Sequence, residues 1–167
     1  MSNKDPVKKL KEAADEAYKL YPNSCSHSAW YVIKQYIPDQ AYSPANVLLP
    51  HLAHNSRWKR VVVNELEKYV NEGVLIVGGL ADPKGNGHVV VVYPGKAKMS
   101  GGYSASIDGE TQQARPRGPF ARVMSTSISR NWPGAMSNGD KTVWDPWGSD
   151  KKFSKVTFYR LVSSDGK

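Results

Sequence analysis

E-G-V-L-I-V-G-G-L (Glu72 to Leu80), A-D-P-K-G-N-G (Ala81 to Gly87) and H-V-V-V-V-Y (His88 to Tyr93) form one continuous stretch whose reading decides the fold. Two β-branched runs flanking a connection rich in Pro, Gly and Asn predict two buried, paired strands, Val74 to Leu80 and His88 to Tyr93, joined by a turn. One residue does not fit this pattern. A histidine opens the most apolar strand in the chain, where an imidazole has no packing reason to be.

Upstream, the period changes to that of helices. Val7, Leu10, Ala14, Ala17 and Tyr18 recur at spacings of three and four, which predicts a first helix from about Asp5 to Leu20. Pro22 and Asn23 break it, and Asn23 or Ser24 can cap a second helix running from Cys25 to about Tyr36 before Pro38 ends it. Ser43 followed by Pro44 signals a short third helix, Ala45 to about His54, and a fourth is expected over Asn64 to Val70 before Gly73. Downstream, strands are expected at Tyr103 to Asp108, Thr142 to Trp144 and Val156 to Val162. The segment Gly109 to Gly139 keeps no hydrophobic period and reads as a long surface loop or loop pair. Helices first and antiparallel strands after define an α+β fold, in one domain spanning residues 1–167.

With 167 residues, 40% of them hydrophobic, the chain can close one real core. Its apolar runs are far shorter than the roughly 20 residues a bilayer-crossing helix needs, so no membrane insertion is expected. Met1 to Glu16 holds lysines but no uninterrupted apolar segment followed by a cleavage site. A Sec signal peptide is therefore not expected, and action outside the producing cell would need another export route. The formal charge of +8, from 23 Lys and Arg against 15 Asp and Glu, favours an anionic partner such as nucleic acid, a membrane surface or wall polymer. Charge alone does not choose among these, and the scattered basic residues also fit an ordinary solvated surface.

Cys25 is the only cysteine, so no intramolecular disulfide can form. A lone thiol is either a small buried hydrophobe or a chemical tool. N-S-C-S-H-S (Asn23 to Ser28) sets it in a helix's first turn, where free backbone amides favour a thiolate and, at Ser24 and Ser26, can hold a tetrahedral oxyanion. Four histidines compete for the role of base. His27 lies about 200° around the helix from Cys25 and should point away. His51 and His54 read as surface or packing residues, and with no carboxylate or second cysteine at ligand spacing no metal site is expected. His88 is left, although alone it also fits a strand-end histidine bonded to solvent. A cysteine at a helix start, packed on the first turn of a central strand, brings sulfur to imidazole.

Together N-S-C-S with its helix, the helix Ala45 to His54, the run Glu72 to Leu80 and G-H-V-V-V-V (Gly87 to Val92) resemble, in order and spacing, the type VI secretion amidase effectors. These belong to the wider NlpC-type and CHAP-type papain-like wall hydrolases, and the resemblance covers roughly Pro22 to Asp108. It implies a papain-like NlpC-type fold, with N-terminal helices packed on a central antiparallel β-sheet. It implies a peptidoglycan peptide-stem amidase with Cys25 as nucleophile and His88 as general base, working without a cofactor. It further implies action on peptidoglycan, delivery by a secretion apparatus without a signal peptide, work in the target bacterium's periplasm, and a cognate immunity protein that blocks the cleft; a monomer with no nucleic-acid partner is expected.

Sites of this kind have a third polar residue orienting the imidazole, supplied by the strand after the histidine strand. The resemblance puts Ser104, in Y-S-A-S-I-D-G (Tyr103 to Gly109), at that place, while chemistry favours the carboxylate of Asp108; both stay open. Tyr103, Trp132, Trp144 and Trp147 are candidate groove walls, with ordinary packing as the rival reading. Two other functions also fit the sequence: a basic module binding wall glycan or nucleic acid with an inert cysteine, and a thiol acyltransferase using the same dyad. The bond cut, D-glutamate to meso-diaminopimelate or diaminopimelate to D-alanine, is not legible.

Overall fold

A computed structural model describes residues 5–107, 110–114, 117–128 and 132–162. Helix α1 (Pro6–Leu20) begins where the Asp5 carboxylate accepts from the Val7 amide, with Pro6 at the first helical position, and it buries Leu10, Ala13, Ala14 and Ala17. Helix α2 (Cys25–Lys34) is capped by Ser24, α3 spans Ala45–His54, and α4 (Leu66–Val70) follows a 3-10 turn at Val63–Glu65. A last short helix, α5, covers Asp150–Phe153. The expected helices are all present, the fourth tightened into 3-10 geometry over its first turn.

The strands are β1 (Trp58–Val61), β2 (Ile76–Leu80), β3 (His88–Ser100), β4 (Tyr103–Ile107), β5 (Glu110–Ala114), β6 (Arg117–Ser125), β7 (Ser137–Thr142) and β8 (Thr157–Leu161). Six of them form one antiparallel sheet in the order β1-β8-β2-β3-β6-β7, while β4 and β5 pair only with each other. The fold is thus α+β, with five helices and a six-stranded antiparallel sheet among the described residues. No helix among them is long and apolar enough to cross a membrane.

The predicted hairpin sits at the centre of this sheet, with Leu80 opposite His88 and Val77 opposite Val91. Val89 to Val92 are at most 1% exposed, because both faces of β3 are covered. On one face Tyr93 donates to Asp15 of α1 at 2.7 Å; on the other Phe158 closes over Gly78 and meets Phe153 of α5. Burying each valine contributes roughly 1.5 to 3 kcal/mol, which makes β3 the least movable element of the fold. Gly79 belongs to this packing too, since a Cβ there would collide with the His88 carbonyl oxygen.

Three sequence expectations are corrected. The segment Gly109 to Gly139 is not a loop: it supplies β5, β6 and the start of β7. R-G-P-F-A-R-V-M-S hides a strand because Gly118 and Pro119 sit at a register shift, while its buried residues include Ala121, Val123, Met124 and the polar Ser125. The strand expected at Thr142 to Trp144 ends at Thr142, and the chain turns there. β3 runs past Pro94 to Ser100 through another irregularity between Tyr93 and Lys98. Asn71 steadies that irregularity by bonding both the amide and the carbonyl of Gly95.

Candidate active site

The start of α2 is built to leave amides free. Ser24 Oγ accepts from the His27 amide at 3.2 Å, which satisfies the third helical donor and leaves those of Cys25 and Ser26 pointing out of the helix mouth. The mouth is tied down from β6: Thr126 Oγ1 donates to the Ser24 carbonyl at 3.0 Å and lies 2.8 Å from Ser28 Oγ. Ser26 contributes its backbone only. Its side chain is buried and meets the Tyr42 hydroxyl at 2.7 Å. As the helical period requires, His27 turns away from the sulfur, stacking on Tyr42 and Tyr21 with Nδ1 against Ser24 Oγ.

His88 is placed by the turn before it and by the strand beside it. Gly87 takes a φ of +67°, a conformation glycine adopts without strain, and a Cβ there would lie 2.5 Å from Asn46 Oδ1. That Asn46, on α3, clamps the connection by bonding the Asp82 and Gly85 carbonyls and the Asp82 amide. On β6, Ser125 lies one residue beyond the Val91–Met124 pair, on the same face as His88 and diagonal to it. Ser125 Oγ is 2.9 Å from His88 Nε2 and donates its only proton to the Ala135 carbonyl at 2.7 Å. The serine must therefore accept from the ring, which assigns the proton to Nε2 and leaves Nδ1 with a free lone pair.

Cys25 and His88 line one cleft of about 240 Å³, with Tyr42, Pro44, Asn86 and Ile128 around its mouth. The thiol's polar neighbours are backbone groups of Val89, Ser26 and Cys25 itself, and among the described residues no hydrogen bond joins it to the ring. Burial pushes the thiol up from its ordinary value; the backbone groups oppose this without overcoming it. The expected helix-stabilised thiolate is corrected accordingly. Burial also brings the imidazole, packed edge-on against Trp147 at 5.5 Å, down to about 4. At neutral pH the two groups are thus a thiol and a neutral imidazole.

The remaining sequence candidates fall elsewhere. Ser104 is exposed on β4, opposite Gln113 in the separate hairpin, so it is not the ring's partner; β3 is flanked in its sheet by β2 and β6, and Ser125 of β6 takes that place. Asp108 lies outside the described residues. Trp144 is 1% exposed and donates to Asp150, a core residue and not a groove wall. Tyr103 and Trp132 do not line the cleft either. Both bond Asp145, whose buried carboxylate accepts from Gly101, Tyr103 and twice from Thr142, while its carbonyl accepts from Trp132. This knot fixes the Pro133–Ala135 turn that presents the Ala135 carbonyl to Ser125. Of the four aromatics only Trp147 packs against His88. Tyr42, which no motif in the sequence marks, forms a wall of the cleft.

Among the described residues no group of three or more His, Cys, Asp or Glu is arranged to hold a metal ion. No protein-family model matches the chain, and no curated protein matches its sequence. A functional reading therefore rests on the cleft.

Proposed function

We propose that the chain is a cysteine amidase of the papain-like NlpC type, acting on the peptide stem of peptidoglycan as an antibacterial effector. The observation that carries this reading is that a helix-mouth thiol and a strand-opening imidazole, its Nε2 held by Ser125, line the same cleft. In the proposed reaction Cys25 Sγ attacks the amide carbon while His88 Nδ1 takes the thiol proton. The oxyanion faces the helix-mouth amides of Cys25 and Ser26. Collapse breaks the C–N bond, Nδ1 returns the proton to the leaving amine, and water activated by the same nitrogen hydrolyses the thioester. The sequence resemblance supports peptidoglycan as substrate, a target-cell periplasm as the place of action, export without a signal peptide, and an immunity protein as inhibitor.

The test is digestion of purified sacculi followed by mass spectrometry of released fragments. Wild-type protein should release stem fragments carrying one new carboxyl group; Cys25→Ala and His88→Ala should not. Release by Cys25→Ala at the wild-type rate would remove the proposal. A second reading, a basic binding module with an inert cysteine, is favoured by the burial that raises the thiol. Binding to wall glycan or DNA with steep salt dependence, and no fragment release, would select it.

A further inference from the structure

Asp145 is 2% exposed, lines no part of the cleft, and has no step in the proposed reaction. Two arms nonetheless run from it to His88. The first starts at its backbone carbonyl, which accepts from Trp132 Nε1 at 2.7 Å and lies so close to Gly134 that a Cβ there would collide with it. The Pro133–Ala135 turn is thereby pinned, its Ala135 carbonyl takes the Ser125 proton at 2.7 Å, and Ser125 Oγ stands 2.9 Å from His88 Nε2. The second arm starts at the carboxylate. Oδ2 accepts from the amide and the hydroxyl of Thr142, both at 2.8 Å, and the Asp145 amide donates back to the Thr142 carbonyl at 3.0 Å. The turn so closed runs on to Trp147, whose ring packs edge-on against His88 at 5.5 Å. The arms also touch each other, since a Cβ at Gly148, next to Trp147, would collide with the Trp132 ring.

We propose that Asp145 is a positioning residue for the His88 imidazole, fixing its tautomer through Ala135 and Ser125 and its tilt through Trp147. In its effect on turnover the proposal rests on the amidase reading, and it names the group that sets the geometry of that same site. The donors around the carboxylate explain why an acid is needed there. Oδ1 accepts from the Gly101 amide at 2.9 Å and the Tyr103 hydroxyl at 2.7 Å, while Oδ2 accepts from Thr142. Hydroxyls can turn round and accept, but the Gly101 and Thr142 amides only donate. An asparagine, equal in size, has one acceptor oxygen. Whichever way its amide is turned, its NH₂ group faces a backbone N–H, and that side of the knot must open.

The experiment pairs imidazole ¹⁵N spectra with kinetics on soluble muropeptides, both on the full chain at pH 7 and below each variant's Tm. The His88 signals are identified by their loss in His88→Gln. In Asp145→Asn the two ring nitrogens should move toward a shared, averaged position as the tautomers mix, and kcat should fall roughly tenfold or more with KM within about twofold. Val61→Ala, a core substitution on β1 at the far edge of the sheet, should cost stability and leave both the spectrum and kcat unchanged. A wild-type His88 spectrum in Asp145→Asn would overturn the proposal, whether or not kcat falls. If Asp145→Asn does not fold, Trp132→Phe decides: it deletes only the donor to the Asp145 carbonyl, and should shift the same signals partway and lower kcat roughly threefold. Unchanged signals there would overturn the proposal equally. The spectrum needs no turnover, so the two claims separate. Wild-type protein that releases no fragments while Asp145→Asn shifts the His88 signals removes the amidase reading alone; fragment release with unshifted signals removes the positioning role alone.

Discussion

Replacing Ser125 with alanine deletes one oxygen and leaves two buried groups without partners, the His88 Nε2–H and the Ala135 carbonyl. Each orphaned group costs about 1 to 3 kcal/mol, so the variant should lose about 2 to 6 kcal/mol of folding stability and still fold at low temperature. The catalytic loss has a separate cause. With no acceptor at Nε2 the ring is free to change tautomer and tilt, and in the Nδ1–H form it presents a proton to the sulfur where a lone pair is needed. Catalytic efficiency, kcat/KM, should drop roughly 10- to 100-fold, which corresponds to about 1.4 to 2.7 kcal/mol in the barrier. Stem-fragment release below the variant's Tm measures that drop. Imidazole ¹⁵N spectra at pH 7 measure the cause: in the wild type the proton should reside on Nε2. Ser125→Asn, which offers a carbonyl oxygen, should recover part of the activity, a recovery that repacking alone would not predict. Undiminished catalytic efficiency in Ser125→Ala, or a proton found on Nδ1 in the wild type, would refute the proton assignment.

Other outcomes follow from the same geometry. Since burial holds His88 at about 4, the acid limb of the kcat/KM profile should fall near pH 4, well below the ordinary imidazole value of 6.5, as a pH–rate profile on sacculi would show. Folding stability should follow the same group. The unfolded ring protonates first, so the stability present above pH 6.5 is lost as pH falls through about 4, by up to about 3 kcal/mol in urea titrations, and His88→Gln should flatten the difference. Alkylation of Cys25 by iodoacetamide should climb steadily with pH beyond 8; a plateau between pH 5 and 8 would reveal a resting thiolate and contradict the neutral couple. Asn46→Ala, which removes three bonds to the connection before His88, should lower kcat/KM by roughly tenfold, measured by fragment release, while leaving Cys25 alkylation unchanged.

The hairpin and the helices are legible because each carries its own period. Four consecutive valines after His88 announce a strand buried on both faces whatever surrounds them, and α3 starts and ends at Ala45 and His54 as its flanking residues indicate. β6 and β7 are not legible because their pairing is non-local. S-N-G-D-K-T at the sheet edge has no apolar alternation, and it is a strand because β6 lies beside it. Taking that segment for a loop also misplaces the imidazole's partner. Ser104 follows β3 in sequence, but the strand that follows it in space is β6. A cue lies in S-T-S (Ser125 to Ser127), hydroxyls gathered directly after the apolar pair Val123-Met124.

The placement of Ser125 and Thr126 at the end of one strand bears on how the cleft is assembled. Ser125 holds the His88 imidazole and Thr126 holds the mouth of the helix that carries Cys25, so a displacement of this strand end disturbs both together. Serine also differs from a carboxylate in what it contributes. A carboxylate at this position would hold the ring and at the same time stabilise an imidazolium, lifting the ring from about 4 and favouring a preformed ion pair with the thiol. Serine, its proton committed to Ala135, orients the ring as firmly but adds no charge. In the proposed mechanism the ring, oriented yet weakly basic, would leave activation of the thiol to an arriving carbonyl, whose developing oxyanion would meet the helix-mouth amides as the proton moves. Ser125→Asp separates these contributions: if the buried carboxylate is tolerated, the acid limb should shift upward and Cys25 alkylation near pH 7 should accelerate, both in the direction of an ion pair. A variant with its acid limb still near pH 4 would show that burial alone, and not the third residue, governs the ring.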